Sequence, residues 1–303
     1  MDDFSSENRA SAWWSTDCRR DVNGETVELI LEKQGKRTRN PVESLPERQQ
    51  EAMRMGLFMQ PNIARLFEDK HKLRVKEFDV SLTHPSETWM KSHFDYITED
   101  QRALVECKNY NHAAAHKFSE DGEPVRIPPA DMVQCIHEAC VAGVGTVYLA
   151  VLFGGQHFRT FKIDVTDEMR VEHIKHYATL WAHVQQGTLP APQTSNDARL
   201  AWPQDNGDCV LASAECEQIV EKFKTIKTQR KTLEDQEEQI AAYLQTSMGN
   251  ASEIRTIDGR TLVTWKAAKP TKTLDTALFK STMPDTYNKF IVERAGSRRL
   301  IVK

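Results

Sequence analysis

The run Ala103-Leu104-Val105-Glu106-Cys107-Lys108 restricts this chain more than any other stretch, because it is apolar enough to be an interior strand yet carries two charges. A charge on a buried sheet is costly unless it is paired or used, so such a strand carries charge for a reason. Residues 89–97 and 103–109 both read as strands, and the polar stretch 98–102 between them reads as a turn, which makes a hairpin. Side chains alternate along a strand, so Leu104, Glu106 and Lys108 share one face while Val105 and Cys107 point into the opposite layer. Asp95, on the neighbouring strand, then meets Glu106. Two readings of this pattern stand. Acids on adjacent strands with a nearby lysine occur in many solvated hairpins; two carboxylates plus a backbone carbonyl also form the hard oxygen set that Mg2+ or Mn2+ prefers. In the second case a lysine alongside can orient an attacking water or offset charge on a phosphate.

At 303 residues the chain can hold one ordinary domain with an appendage, or two small ones. It has no run of about 18 or more apolar residues. Its first six residues, Met1-Asp2-Asp3-Phe4-Ser5-Ser6, lack the basic and apolar regions of a signal peptide. The six cysteines include no CxxC pair, so neither a zinc site nor a disulfide framework is signalled, and a reducing cytoplasm is the expected location with no membrane partner. Net charge is −4, unevenly spread: from Ser252 onward there are 11 Lys and Arg against 5 Asp and Glu, a surplus of +6, while residues 1–251 carry −10. A basic C-terminal module suits a polyanion contact or an acidic partner, although a lysine-rich solvated surface has the same signature.

The periodicity predicts a short helix over 25–36, ended at Gly35, and a longer one over 46–70 that Pro61 should kink or divide. A strand over 75–82 and the hairpin follow, then a loop over 110–129 containing His112, His116, Lys117 and Arg126. A helix is expected over 130–142, a second hairpin over 146–164 around Gly154-Gly155, and an amphipathic helix over 167–186 before Gly187. This order gives an α/β fold, a mixed central sheet flanked by helices, over residues 1–189. Residues 190–208 read as a linker, and 209–250 as a long amphipathic helix with apolar residues at alternating three- and four-residue steps interrupted by Arg230 and Glu237. A lone helix cannot bury that stripe; packing within the chain or on a partner would do so. Residues 251–303 form the basic module, read as a small α+β unit.

Taken in order, these segments resemble the YqaJ-like viral recombinase family, which is similar to phage lambda exonuclease within the PD-(D/E)XK nuclease superfamily. Thr16-Asp17 and Glu28-Leu29-Ile30-Leu31-Glu32-Lys33-Gln34-Gly35 look like the family's opening, and Gly56 to Glu68 like its glycine-to-acid helix. Asp95 with Glu106-Cys107-Lys108 looks like the catalytic core, Val133-Gln134-Cys135-Ile136-His137 like the "QxxH" helix, and Leu149 to Gly155 with Phe158-Arg159 like the following hairpin. Each motif alone is weak; the ordered set is specific. The resemblance implies a PD-(D/E)XK core in which Asp95, Glu106 and the Cys107 carbonyl bind Mg2+, with Mn2+ able to substitute. It further implies that Lys108 positions or activates water and that Gln134 holds water or phosphate beside the site. Arg19 and Arg20 become candidates for a 5′-phosphate pocket, and Tyr96 and His137 candidates for DNA contact, with a structural role for His137 the alternative.

Two residues depart from the family pattern. Gln60 stands where the family has glutamate; as a neutral amide it can coordinate or orient water at the metal site but brings no charge, which puts a second, more weakly held metal in doubt, and Tyr96 replaces the glycine after the hairpin aspartate. The implied activity is a Mg2+-dependent deoxyribonuclease, a processive 5′ to 3′ exonuclease on double-stranded DNA ends in phage-type recombination. The implied setting is a bacterial host cytoplasm, a phage or prophage origin, a single-strand annealing partner and a ring trimer. The alternatives are a structure-specific or restriction-type endonuclease, since the same core serves both, and a DNA- or replication-protein-binding factor with an impaired nuclease site.

Overall fold

The computed structural model describes residues 6–120, 123–293 and 296–303, so the N-terminal tract read for a signal segment lies, but for Ser6, outside the described residues. The chain forms two compact units, residues 1–203 and 204–303. The first opens with α1 (Ser6–Ala10), β1 (Trp13–Trp14), α2 (Ser15–Val22), α3 (Thr26–Lys33) and α4 (Glu47–His71). It continues with β2 (Val75–Glu77), β3 (Ser81–Thr83), β4 (Met90–His93), β5 (Tyr96–Thr98) and β6 (Ala103–Tyr110). Then come α5 (Pro129–Ala142), β7 (Thr146–Phe153), β8 (His157–Asp164), α6 (Asp167–Gln186) and α7 (Ser195–Ala201).

The main sheet has the order β2-β5-β6-β7-β8; β6 and β7 are parallel and the other pairs antiparallel, so the sheet is mixed. The largely apolar β7, buried throughout from Leu149 to Phe153, occupies an interior position because both its faces are covered, as in parallel pairs generally. On one face Ile63 and Phe67 of α4 pack against Val105, Cys107, Ala150 and Leu152. On the other, Cys135 and Ala139 of α5 pack with Leu104, Leu149 and Val151. The alternation read along β6 therefore holds, and Glu106 and Lys108 lie on the α5 side. At the β7–β8 turn Gly154 takes φ +58°, and a Cβ there would sit 3.1 Å from the His112 Cβ, so the turn accepts no side chain without displacing its neighbour.

Several boundaries differ from the sequence expectation. The strand over 89–97 is two strands in different sheets: β4 pairs with β1 and β3, β5 with β2 and β6, and Phe94-Asp95 is the crossing between them. The strand over 75–82 divides in the same way, because β2 follows β5 and β3 follows β4. Pro61 does not divide α4, which runs unbroken through it at the loss of one backbone hydrogen bond. The polar start contains α2, and the stretch expected as linker contains α7, capped by Thr194 with Asp197 buried beneath it.

The second unit comprises α8 (Ala214–Met248), the antiparallel hairpin β9 (Glu253–Arg255) and β10 (Thr261–Thr264), and the short helices α9 (Thr276–Thr282) and α10 (Pro284–Lys289). Among the described residues no helix is long and apolar enough to cross a membrane.

Candidate active site

The break between β4 and β5 determines where Asp95 lies. The chain turns from one sheet into the other there, so the Asp95 side chain can reach back to the backbone of β6: the Cys107 N–H donates to Asp95 Oδ2 at 2.9 Å. Gln60, projecting from α4, donates through Nε2 to the other oxygen, Oδ1, at 2.8 Å. Glu106 approaches from β6, 5% exposed, and its Oε1 accepts from Lys108 Nζ at 2.5 Å and from Gln134 Nε2 at 2.6 Å. The same Gln134 nitrogen donates to Glu138 Oε1 at 2.7 Å. Asp131, Gln134 and Glu138 stand at i, i+3 and i+7 on α5, so one helix face delivers all three to the sheet.

The electrostatics are lopsided. Asp95 is raised from the ordinary carboxylate range to about 8, first by burial and then by the negative charge of Glu106. Glu138 is pushed well above its usual range for the same two reasons, in the same order. Burial works to lower Lys108, but the negative charge around it, Glu106 first and then Asp95, holds the ammonium above its ordinary value. One lysine thus faces three carboxyl groups, the buried Glu106 and Glu138 and the half-buried Asp95, and Gln134 satisfies two of them without adding charge. A divalent cation held by Asp95 and Glu106 fits this set, since oxygen donors and surplus negative charge are what Mg2+ or Mn2+ requires. Gln60 fits less well as a ligand: with its amide nitrogen turned toward Asp95, it braces that carboxylate instead of presenting its own oxygen.

Arg19 reaches the same face from α2. Its guanidinium pairs with Asp131, donates from Nη2 to the Tyr110 hydroxyl at 3.1 Å and from Nη1 to Gln134 Oε1 at 3.2 Å. The Tyr110 hydroxyl donates in turn to Asp131 at 2.7 Å. What anchors α2 is a buried ion pair: Lys33 Nζ donates to Asp17 Oδ2 at 2.6 Å, and Asp17 also accepts from the Trp14 N–H at 2.9 Å. The Thr16-Asp17 and Lys33 portions of the opening motif therefore meet in space, and their contact fixes the helix that carries Arg19.

Three candidate DNA contacts are placed otherwise than the sequence suggested. Arg20 is engaged by Glu25 at 2.7 Å and by both oxygens of Glu32 at 2.6 and 2.9 Å, which ties α2 to α3. Tyr96 is half-buried and packs on the α4 side of the sheet, against the cluster around Ile63 and Phe67. His137 is wholly buried, so no DNA can touch it. Its Nε2 lies 3.1 Å from the Lys91 carbonyl, an acceptor, which fixes Nε2 as the donor and leaves the Nδ1 lone pair facing Cys18 Sγ at 3.2 Å and His173 Nε2 at 3.0 Å. Cys18, His137 and His173 bring potential ligand atoms within 4.8 Å of one another, but these are nitrogen and sulfur donors suited to zinc-like ions, in a cluster separate from the carboxylates. Each already has a hydrogen-bond partner inside the protein.

Glu138, Asp131 and Tyr110 were not singled out in the sequence. Their signal was present: Asp131, Gln134 and Glu138 trace a polar stripe on a helix that is otherwise buried, and a buried polar stripe needs a partner.

Residues 15–145 match the YqaJ-like viral recombinase domain. A Bacillus subtilis (strain 168) protein named "Uncharacterized protein YqaJ" is 28% identical over 285 residues, covering 91% of this chain and 85% of that one. Among solved structures, an alkaline exonuclease (LHK-Exo) from Laribacter hongkongensis is 16% identical with a TM-score of 0.46, covering 59% of this chain and 90% of the other. A phage related exonuclease from Haemophilus somnus 129PT is 9% identical with a TM-score of 0.40, covering 55% and 81%.

Proposed function

We propose, from the match of residues 15–145 to the YqaJ-like viral recombinase domain, that the chain is a divalent-metal-dependent deoxyribonuclease that degrades one strand of duplex DNA from a 5′ end. The observation that carries this reading is the charge imbalance at the β5–β6 hairpin, where the carboxyl groups of Asp95, Glu106 and Glu138 face one lysine and burial with the charge of Glu106 raises Asp95 to about 8. Asp95 and Glu106, with the Cys107 carbonyl, would hold Mg2+ or Mn2+. When bound, such an ion would supply Lewis-acid stabilisation of a phosphodiester and a water more acidic than bulk water.

The remaining roles belong to the chain's own groups. Lys108 stays charged and keeps ammonium protons beyond its bond to Glu106, available to a phosphate oxygen or to the attacking water. Gln134 holds Glu106 in one orientation by bridging it to Glu138. Arg19, braced by Asp131 and Tyr110, presents the guanidinium nearest these carboxylates and is the better candidate for a terminal 5′-phosphate than Arg20, which two glutamates occupy. A recessed duplex with a 3′ single strand is the product such an activity leaves, and that is a substrate for a single-strand annealing protein.

The test is digestion of end-labelled linear duplex, with and without a 5′ phosphate, beside a closed circular plasmid. The proposal expects release of 5′ label from the linear DNA, faster with the phosphate, and an intact circle. Cutting of the circle would replace it with an endonuclease, and metal binding without cleavage of either substrate would replace it with a binding factor.

A further inference from the structure

Three helices of the first unit each bring one nitrogen or sulfur donor to a single buried point: Cys18 from α2, His137 from α5 and His173 from α6. They are 0, 0 and 6% exposed. Steps of 119 and 36 residues separate them along the chain, so no local spacing signals the cluster, and the lack of a CxxC pair says nothing about it. Their hydrogen-bond partners are chiefly one another. His137 Nε2 donates to the Lys91 carbonyl, so Nδ1 offers one lone pair, and both Cys18 Sγ at 3.2 Å and His173 Nε2 at 3.0 Å face it. One lone pair does not satisfy two donors well.

We infer that Cys18 Sγ, His137 Nδ1 and His173 Nε2 hold a zinc ion that ties α2 to α5 and α6. One thiolate with two imidazoles is a donor set that Zn2+ takes and that Mg2+, which prefers oxygen, does not. At Zn–S of about 2.3 Å and Zn–N of about 2.0–2.1 Å, ligand atoms in a tetrahedron stand roughly 3.3–3.6 Å apart, so the two close pairs need to part by only a few tenths of an ångström. The third pair, Cys18 with His173, already lies within 4.8 Å. The fourth position falls to a water or to the Tyr177 hydroxyl, which bonds to the Cys18 sulfur.

The groups around the cluster support a bound ion. The Lys91 carbonyl fixes the His137 tautomer that leaves Nδ1 free to ligate, the usual outer partner of a metal-binding imidazole. The Trp13 indole N–H is buried and makes no hydrogen bond of ordinary geometry, yet it and the Tyr177 hydroxyl both favour the thiolate of Cys18. Binding sends the thiol proton to solvent and leaves one positive charge on the centre, which the negative charges of Asp17 and Asp21, both acting on Cys18, offset. Burial closes the cluster to solvent, so the ion enters as the chain folds. Arg19 follows Cys18, so the ion pins the turn of α2 that presents that guanidinium. The inference uses none of the carboxylates and stands or falls apart from the nuclease reading.

The test uses the full-length chain carrying Asp95→Asn, which weakens the carboxylate site, produced in cells supplied with Zn2+ or with Co2+ as a coloured probe. After gel filtration in EDTA, elemental analysis should find about one zinc per chain. The cobalt form should show an intense sulfur-to-cobalt charge-transfer band in the near ultraviolet. Cys18→Ser should abolish that band, and Cys18→Ser and His173→Gln should each lower bound zinc about tenfold or more. The parent decides the question even where a variant fails to fold: no zinc in the zinc-grown protein together with no charge-transfer band in the cobalt-grown one overturns the inference. A band that persists in folded Cys18→Ser, or zinc held at the parent's level by folded His173→Gln, would place the ion elsewhere and overturn it equally.

Discussion

Gln134 is the residue whose removal should be most revealing, because one amide nitrogen serves two buried carboxyl groups. Gln134→Ala deletes the 2.6 Å bond to Glu106 and the 2.7 Å bond to Glu138, leaving both acids buried with one lysine between them. A hydrogen bond to a charged group contributes about 1.5–3 kcal/mol; because the two share a donor and are not additive, the expected loss is about 3 kcal/mol in metal-free protein. In saturating Mg2+ the loss should shrink to about half, because the cation gives Glu106 a partner and leaves the Glu138 bond as the one unmade. Urea unfolding of wild type and variant, each with EDTA and with excess Mg2+, measures both quantities. Cleavage should fall roughly ten- to a hundredfold, the usual effect of losing the group that orients a metal ligand. A destabilisation below about 1 kcal/mol without metal, or one that Mg2+ leaves unchanged, would show that Gln134 does not bridge the two acids and that the charge argument is misplaced.

The other perturbations each probe one contact. Lys108→Ala should lose nearly all cleavage yet still bind Mn2+ by calorimetry, since the ammonium donates to Glu106 and offers no ligand atom to a cation; loss of metal affinity as complete as in Asp95→Asn would assign it to the ion instead. Gln60→Glu replaces the donor to Asp95 with a second carboxylate, so it should unfold more easily in EDTA and bind Mg2+ more tightly, shifting activity to lower Mg2+; an unchanged Mg2+ dependence would place the side chain outside the site. Burial lowers His137 to about 4 and His173 to about 2, so as pH falls from about 6.5 toward 4 the unfolded chain takes up protons first and stability is lost. His173→Gln should flatten that acid slope in a pH series of unfolding midpoints, and an unaltered slope would refute the assignment.

Where the sequence carried a strong period, it read correctly. Strands β6, β7 and β8 and helices α5 and α6 fall within a residue or so of expectation, and the alternation along β6 sorts Glu106 and Lys108 onto one face and Val105 and Cys107 onto the other. Helix α2 was missed because its character is polar: Asp17 is held by a lysine sixteen residues away, a contact invisible to local patterning. The break at Asp95 was missed because 89–97 has unbroken strand character, and the change of sheet is imposed by which strands are free to pair. His137 looked like a neighbour of Gln134 one turn along, yet the three-residue step rotates it toward α2 and α6, where Cys18 and His173 meet it. Glu138 at four residues from Gln134 is the one that stays beside the carboxylates.

The central claim is that Asp95 and Glu106 hold a divalent cation for phosphodiester hydrolysis, and the rate of end-labelled duplex cleavage by Asp95→Asn across a Mg2+ series tests it most directly. Asparagine keeps the shape and can still accept from the Cys107 N–H, so the fold should persist by circular dichroism. The account predicts a rate lower by at least about a hundredfold, or roughly 3 kcal/mol of activation free energy, at every Mg2+ concentration that saturates the wild type. A folded Asp95→Asn that cleaves within about threefold of wild type in Mg2+, a difference below about 1 kcal/mol, would contradict it.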